Sequence, residues 1–286
     1  MLKYNFESLI NCEIELYTFI NVLRKNNIFS CKSDLYTYLA YLLKIDYNAI
    51  PLKLNSKILI DNKILEELNL LKKGYPLAYL IKSKYFYGYE FYIDQRALIP
   101  REDTNMLVNK VIDVNDIESP SILDLCTGSG CIFISLLLEI KKAFALGIDK
   151  SLDALMVAKT NIHKFGLHNR SCLICADVFN IEYLIKRKFD IITCNPPYIG
   201  MDDQYDRSIL YEPFEALFPG DKKGIIFYKK LLPLVNKLCK KGGLVAFEIN
   251  PYIVKDIMEI LIKNNIDAKI AYDYSKYPRI VFWKNM

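Results

Sequence analysis

A proline-rich polar segment, Asn195-Pro196-Pro197-Tyr198, directly follows a hydrophobic run. Its two prolines have fixed φ angles and no amide N–H, so the backbone is stiff and its carbonyl oxygens are free to accept hydrogen bonds. A nitrogen nucleophile carries N–H donors, and the Asn195 side-chain oxygen and the Pro196 carbonyl can accept them while the Tyr198 ring stacks on a flat substrate. The segment therefore predicts a site for a planar amide or amine nitrogen. In isolation it also fits a simple turn, since Asn and Pro favour turns.

A glycine-bearing stretch, DLCTGSG, occupies residues 124–130, and its glycines let the backbone approach a ligand closely. Nineteen residues after Gly130, Asp149 ends a second hydrophobic run, where its carboxylate can accept hydrogen bonds from both ribose hydroxyls of a nucleoside. The stretch is neither G-x-G-x-x-G nor a P-loop, which disfavours NAD and ATP. It resembles the S-adenosylmethionine turn of Rossmann-like methyltransferases. The alternative is a tight strand-to-helix connection without a ligand.

Both segments belong to an alternation of strand-like and helix-like patterns that starts near residue 98 and predicts a parallel α/β sheet. The predicted strands are Ser121–Leu125, Ala143–Ile148, Ser171–Cys175, Phe189–Cys194, Leu244–Ile249, Ala268–Tyr274 and Arg279–Trp283. The predicted helices run from the glycine turn through Ile140 and over Leu152–Phe165, Ile225–Leu238 and Ile253–Lys263. Because open α/β sheets bind ligands at the carboxyl ends of their strands, the two segments are expected at one edge of the sheet, which disfavours the simple-turn interpretation.

The sequence upstream of this region has a different pattern. Residues 1 to about 74 repeat leucine and isoleucine at helical spacing and predict a small helical bundle. Because this part lacks polar constellations, residues 1–83 are assigned as an N-terminal helical substrate-docking domain. Residues 84–97 are assigned as a β-hairpin linker, since six of the eight residues 85–92 are aromatic; these rings either pack as a connector or line a substrate entrance. Residues 98–286 form the α/β domain.

The composition is that of an ordinary globular protein, with 52% hydrophobic and 25% charged residues. No apolar run reaches the roughly 18 residues of a membrane span. The first 15 residues lack an export signal, and their three glutamates argue against a transit peptide. We therefore expect a cytoplasmic protein without membrane attachment. The net charge of +5 comes with scattered lysines rather than a basic stripe, so no direct contact with nucleic acid is expected.

The eight cysteines have no regular spacing and are expected to be reduced thiols. Cys172 and Cys175 form a CxxC pair, but residues three apart on a strand point to opposite faces, and no second pair completes a zinc site. We expect both cysteines to be buried in the core, and we expect no metal site.

Together these residues resemble the protein-(glutamine) methyltransferases that modify peptide-chain release factors, known as HemK or PrmC proteins. The resemblance covers nearly the whole chain. Beyond the two segments it rests on Gly74-x-Pro76-x-x-Tyr79, on Leu98-Ile99-Pro100-Arg101 with Thr104, on Tyr211-Glu212-Pro213 with Ala216-Leu217, and on Phe247-Glu248-Ile249. Many nitrogen methyltransferases share the Asn-Pro-Pro-Tyr loop, whereas the Ile-Pro-Arg and Glu-Pro-x-x-Ala-Leu segments are much narrower.

The resemblance implies a Rossmann-like S-adenosylmethionine-dependent methyltransferase domain with a mostly parallel seven-stranded sheet. It implies that S-adenosyl-L-methionine is bound by Cys126, Thr127, Gly128, Ser129, Gly130, Asp149, Val178 and Asn195. It implies that the catalytic and substrate-binding residues are Asn195, Pro196, Pro197 and Tyr198. The implied substrate is the glutamine in the Gly-Gly-Gln loop of a peptide-chain release factor, which is therefore the implied partner in translation termination. The enzyme is expected to be a monomer.

The chain departs from the family pattern at a few positions. The family usually has glycine in place of Cys126, where a small thiol is expected to be accepted if the backbone φ is not positive. It usually has proline in place of Glu102 and glutamate in place of Asn105, and loss of that glutamate is expected to weaken contacts near the cofactor's amino-acid end. It usually has glycine in place of Asn250. None of these departures is expected to touch the nitrogen-binding loop.

Two other functions are compatible with the same loop. One is N-methylation of a ribosomal-protein glutamine or of adenine or guanine in nucleic acid, and the other is a binding protein without activity. An adenine enzyme must extract the base from its stack and usually carries a large target-recognition region, and no segment of this sequence is long enough to serve as one. A ribosomal-protein glutamine would use the same loop, so the sequence leaves that substrate open.

Overall fold

The computed structural model describes residues 6–200, 205 and 207–286. Within it the chain divides into two compact units, Met1–Lys82 and Ser83–Met286. Residues 1–5 of the predicted docking domain and residues 201–204 and 206 of the predicted α/β domain lie outside the described residues.

The first unit is mainly helical and has its own apolar core. Its helices are α1 (Leu16–Lys25), α2 (Lys32–Leu43), α3 (Asn62–Lys72) and α4 (Leu77–Ile81), and its strands β1 (Glu13–Glu15) and β2 (Lys57–Leu59) pair antiparallel. Helix α3 begins after Asp61, whose carboxylate accepts the Ile64 N–H at 2.8 Å and so satisfies one of the free donors of the first turn. Leu23, Leu39 and Leu68 are fully buried between these elements. The leucine spacing did not predict the β1–β2 ribbon.

The second unit is built around one seven-stranded sheet. Its strands are β5 (Ser121–Leu125), β6 (Phe144–Asp149), β7 (Ser171–Cys175), β8 (Phe189–Cys194), β9 (Cys239–Glu248), β10 (Lys269–Tyr272) and β11 (Pro278–Lys284). The order across the sheet is β10-β11-β9-β8-β5-β6-β7. The five strands from β9 to β7 are parallel, whereas β11 runs antiparallel to both β9 and β10. The predicted mostly parallel α/β sheet is confirmed.

Helices cover both faces of this sheet. They are α5 (Asn105–Val114), α6 (Cys131–Glu139), α7 (Leu152–Lys164), α8 (Ile181–Leu184), α9 (Phe214–Leu217), α10 (Ile226–Leu238) and α11 (Val254–Lys263). Alternate strand residues point to opposite faces, so Leu123 packs in the core that contains α10 and α11, while Ile122 packs in the core that contains α5 and α6. No helix in the described ranges combines the length and the apolar character that crossing a bilayer requires.

The expected burial of the CxxC pair is wrong, because Cys172 and Cys175 are both exposed. Their strand, β7, is the edge strand of the sheet and has a hydrogen-bonded neighbour on one side only. The sequence pattern of an apolar strand does not distinguish an edge position from a central one.

Candidate active site

The predicted site segments meet where the strand order reverses. The chain runs outward from β5 to β6 and β7, then crosses back to β8 and β9 on the other side of β5. Such a switch point opens a crevice beyond the carboxyl ends of the parallel strands. The glycine turn follows β5, Asp149 ends β6, and Asn195 follows β8, so the sheet brings all three to this crevice.

The glycine turn leaves β5 through three residues with positive φ: Cys126 at 57°, Gly128 at 55° and Gly130 at 81°. A Cβ on Gly130 would lie 2.9 Å from the Phe133 ring, so this glycine is needed both for its φ and for close packing on α6. From the sequence, a thiol at position 126 is expected to be accepted if its backbone φ is not positive, but the φ of Cys126 is positive. A non-glycine residue in this conformation costs about 1–2 kcal/mol, which the turn must offset elsewhere.

One residue that holds the turn was missed as a site residue, although it is the first of the stretch. Asp124 is fully buried and accepts hydrogen bonds from the hydroxyls of Thr127 at 2.5 Å and Thr193 at 2.6 Å. Burial raises the pKa of this carboxyl to about 7, and the two hydroxyls act in the opposite direction. Asp124 thereby ties the turn to β8, the strand that leads into the proline loop.

Asp149 is connected directly to the turn. Its Oδ2 accepts the Gly128 N–H and its Oδ1 accepts the Ser151 N–H, both at 2.9 Å. A carboxylate offers about four acceptor sites, so one on each oxygen remains for a pair of ribose hydroxyls. Burial raises the pKa of Asp149, while the backbone N–H groups favour its charged form. A turn with positive-φ residues that is hydrogen-bonded to an acidic residue at the end of the neighbouring strand fits an adenosine-containing cofactor.

The remaining predicted cofactor residues lie at the ends of the neighbouring strands. Val178 is 5% exposed and begins a short 3-10 helix after β7. Asn195 is half-buried after β8. The predicted residues on β5, β6, β7 and β8 thus follow one edge of the sheet in strand order, and their individual roles stay predictions.

The proline loop is held at both of its polar ends. The Asn195 Nδ2 donates to Thr104 Oγ1 at 3.3 Å, and the Tyr198 hydroxyl donates to Glu248 Oε1 at 2.9 Å. Pro196 and Pro197 between them are buried. Thr104 and Glu248 were noted in the sequence only as parts of the family pattern, and contact with the loop is what places them at the site.

Backbone from residues 222–224 supports the loop from behind. A Cβ on Gly224 would lie 2.2 Å from the Tyr198 carbonyl oxygen, and one on Gly200 would lie 2.4 Å from the Lys222 carbonyl oxygen. In addition, the Asn250 Nδ2 donates to the Tyr198 carbonyl at 3.3 Å. The expectation that no departure from the family pattern touches the nitrogen-binding loop is therefore wrong for Asn250.

The two narrow sequence segments of the resemblance form a single structure beside the loop. Glu212 is buried and accepts hydrogen bonds from the Ile99 N–H at 3.0 Å and from the Arg101 guanidinium at 2.5 Å. The Ile199 N–H, next to the loop, donates to the Leu217 carbonyl at 3.0 Å. The opposite charges of Arg101 and Glu212 are the only sequence signal for the pairing of these two segments.

The aromatic hairpin consists of β3 (Ser83–Phe86) and β4 (Tyr89–Tyr92) and lies in the second unit. Phe86 and Phe91 are buried in the apolar core beside α5 and α6, so these two rings pack rather than line an entrance. Buried Asn161 accepts the Tyr92 N–H at 2.8 Å and donates to the Ser129 carbonyl at 2.9 Å. The hairpin is thus hydrogen-bonded through one side chain to the glycine turn.

Another departure from the family pattern also serves the hairpin. Asn105 Oδ1 accepts the Tyr87 N–H at 3.0 Å, and its Nδ2 donates to Glu102 Oε2 at 3.3 Å. Asn105 therefore holds the hairpin turn against the start of α5.

Comparison with known proteins gives a consistent result. Residues 118–273 match the profile of a family described as a methyltransferase domain. The release factor glutamine methyltransferase of Mycoplasma mycoides subsp. mycoides SC is 37% identical over 282 residues, covering 94% of this chain and 98% of the relative. The protein of the same name from Clostridium acetobutylicum is 31% identical, covering 91% and 94%.

Solved structures support the fold alone. The catalytic domain of hMettl16, in complex with a MAT2A 3'UTR hairpin, superposes with a TM-score of 0.55 at 15% identity, covering 68% of this chain and 74% of that one. A methyltransferase from Pyrococcus furiosus gives a TM-score of 0.51 at 16% identity, covering 70% and 90%.

Proposed function

We propose, since this chain belongs to the family of release factor glutamine methyltransferases, that its Asn195–Tyr198 loop holds the side-chain amide of a release-factor glutamine for methylation. The chain is an S-adenosylmethionine-dependent methyltransferase. We assign the turn at residues 126–130, together with Asp149 and Val178, to cofactor binding. S-adenosylmethionine supplies a methyl group that its sulfonium charge makes electrophilic.

The observation that carries the acceptor assignment is the orientation of the Asn195 amide. Its Nδ2 is engaged by Thr104 Oγ1, so the group left for a substrate is the oxygen Oδ1. An amide NH₂ brings two donors, which Oδ1 and the Pro196 carbonyl accept while the nitrogen lone pair stays free. A carboxylate or a hydroxyl oxygen lacks that pair of donors. The loop is therefore selective for an NH₂ group.

A surface pocket of about 420 Å³ adjoins the loop and is our candidate for the substrate entrance. It is lined by Tyr198, Ile199, Asn250, Pro251, Tyr252, Tyr277 and Arg279. Tyr252 is 85% exposed and Tyr277 50% exposed, so both rings are available to a protein segment that delivers its glutamine to Tyr198. We assign this pocket to the residues that flank the acceptor glutamine.

The direct test supplies the enzyme with S-adenosylmethionine labelled in its methyl group and with intact release factor, and locates the label by peptide mass spectrometry. The label is expected on the glutamine of the Gly-Gly-Gln loop. Release factors with asparagine or glutamate at that position are expected to remain unlabelled, because asparagine withdraws the amide by one methylene and glutamate has no N–H to donate. Labelling of either variant at the wild-type rate, or labelling of a ribosomal-protein glutamine or a nucleic acid instead, would overturn the assignment.

We further propose that the first unit docks the protein substrate. It has its own core and exposes large apolar side chains, including Leu52 at 85% and Leu59 at 58% exposure. A chain that begins at Ser83 is expected to bind cofactor with unchanged affinity but to methylate intact release factor far more slowly than the full chain. A short peptide containing the Gly-Gly-Gln loop, as the control substrate, is expected to be methylated equally by both. Full-rate methylation of intact release factor by the shortened chain would refute docking by this unit.

A further inference from the structure

The buried carboxylate of Glu248 contacts the proline loop, and only one of its two oxygens accepts a hydrogen bond in the described part of the chain. Glu248 ends β9, next to β8, and is 2% exposed. Its Oε1 accepts the Tyr198 hydroxyl, whereas its Oε2 has no hydrogen-bond partner in the described part of the chain. The preceding residue, Phe247, is fully buried in the apolar core. An acidic side chain at such a position is costly, so it requires a reason beyond packing.

The second element is the hydroxyl of Thr104, which is 2% exposed at the end of a 3-10 turn. Because its oxygen accepts a hydrogen bond from Asn195 Nδ2, its own hydroxyl proton must point toward a different acceptor. The register of the sheet pairs Cys194 of β8 with Phe247 of β9, so the residues that follow them, Asn195 and Glu248, are neighbours. Burial raises the pKa of Glu248, and the Thr104 hydroxyl acts in the opposite direction by favouring the charged carboxylate. Oε2 is the buried acceptor that lacks a donor.

Resting on the proposed function, we propose that Glu248 and Thr104 are positioning residues that fix which end of the Asn195 amide faces the substrate. A carboxylate can only accept, so it draws the Thr104 proton toward itself. The Thr104 oxygen is then left to accept from Asn195 Nδ2, and Asn195 Oδ1 turns toward the substrate NH₂. If the donor-to-acceptor direction of these hydrogen bonds were reversed, Asn195 would present its own NH₂ to the substrate NH₂. Two donors would then face each other.

The Tyr198 hydroxyl strengthens this arrangement from the other side. It donates to the same carboxylate, so one buried group sets both polar ends of the loop. The charge of Glu248 is balanced in part by Arg279, which also pairs with Asp103 at 3.0 Å and Asp273 at 2.9 Å. Burial and Asp103 raise the pKa of Glu248, while the hydroxyls of Thr104 and Tyr198 and the charge of Arg279 favour its charged form.

The test measures methylation of the release-factor glutamine by full-length variants. Glu248→Gln has the same shape but brings an NH₂ donor, which competes with Asn195 for the Thr104 oxygen, and kcat is expected to fall at least about tenfold. Thr104→Val keeps the shape of the side chain, removes the hydroxyl, and is expected to give a similar loss. Thr104→Ser keeps the hydroxyl and is expected to restore most of the turnover. The double variant Glu248→Gln/Thr104→Val is expected to be no slower than Thr104→Val alone, because both changes interrupt the same series of hydrogen bonds from Glu248 through Thr104 to Asn195.

The cofactor affinity of each variant, measured by calorimetry, separates positioning from collapse of the site. It is expected to stay within about twofold of wild type, since none of these residues belongs to the glycine turn. Full turnover in Glu248→Gln, additive losses in the double variant, or equal losses in Thr104→Ser and Thr104→Val would each refute the inference. If Glu248→Gln fails to fold, the serine and valine variants at position 104 still decide it. A wild-type enzyme that does not methylate the glutamine would instead overturn the proposed function.

Discussion

Replacing Asn195 by alanine is expected to lower the turnover of glutamine methylation by a factor of about 10²–10³. An amide nitrogen is a poor nucleophile because its lone pair is delocalised into the carbonyl. The rate gain must come from holding the NH₂ in line for attack as that conjugation is lost, so the Asn195 contact strengthens toward the transition state. Alanine removes the acceptor and also leaves Thr104 without its donor.

The measurement is kcat with saturating release factor, together with cofactor affinity by calorimetry. Turnover is expected to fall much more than affinity. Asn264→Ala is the matched control, because Asn264 is an exposed asparagine at the end of α11 whose side chain donates to the nearby Ile260 carbonyl. Equal losses of affinity and turnover in Asn195→Ala would show that Asn195 acts in cofactor binding rather than in holding the acceptor.

Replacing Asp149 by alanine is expected to weaken S-adenosylmethionine binding at least tenfold. Hydrogen bonds to a charged carboxylate contribute about 1.5–3 kcal/mol, and about 1.4 kcal/mol corresponds to a factor of ten in affinity. Asp149 also holds the Gly128 N–H, so its removal loosens the turn as well as the ribose site.

Calorimetric titration of the variant with S-adenosylmethionine tests this directly. Asp153→Ala is the control, because Asp153 is an exposed acid in the first turn of α7 and lies only four positions further along the chain. Its affinity is expected to match wild type. Unchanged affinity in Asp149→Ala would show that the ribose is not bound by this carboxylate. Another residue at the carboxyl edge of the sheet would then have to bind it.

The strands and helices of the second unit were predictable because their signal is local. The runs at Ser121–Leu125 and Phe189–Cys194 are mainly apolar, as expected of central parallel strands covered on both faces, and each lies where predicted. The alternation of strands with helices then restricts the sheet to a parallel arrangement. Local patterns also placed the glycine turn and the proline loop at strand ends, and therefore at one edge of the sheet.

Contacts between distant segments were not predictable in this way. Arg101 and Glu212 are 111 positions apart, and Thr104 and Asn195 are 91 apart. Each pair meets only because the strand order brings their elements side by side, and no periodicity in the sequence encodes that order. The exposed edge position of Cys172 and Cys175 likewise follows from β7 having one neighbour.

The sequence by itself thus determined the sheet and placed the glycine turn and the proline loop at its carboxyl edge, since propensity, periodicity and short motifs act over a few residues. Only the tertiary structure decided the positive φ of Cys126, the contact of Asn250 with the loop, and the buried pairing of Glu248 with Tyr198. The physical reason is that a backbone dihedral in a tight turn and the direction of a buried hydrogen bond both depend on every neighbouring group. Those neighbours come from β8, β9 and the segment before α5. These elements are distant in the sequence and meet around the proline loop only in the folded protein.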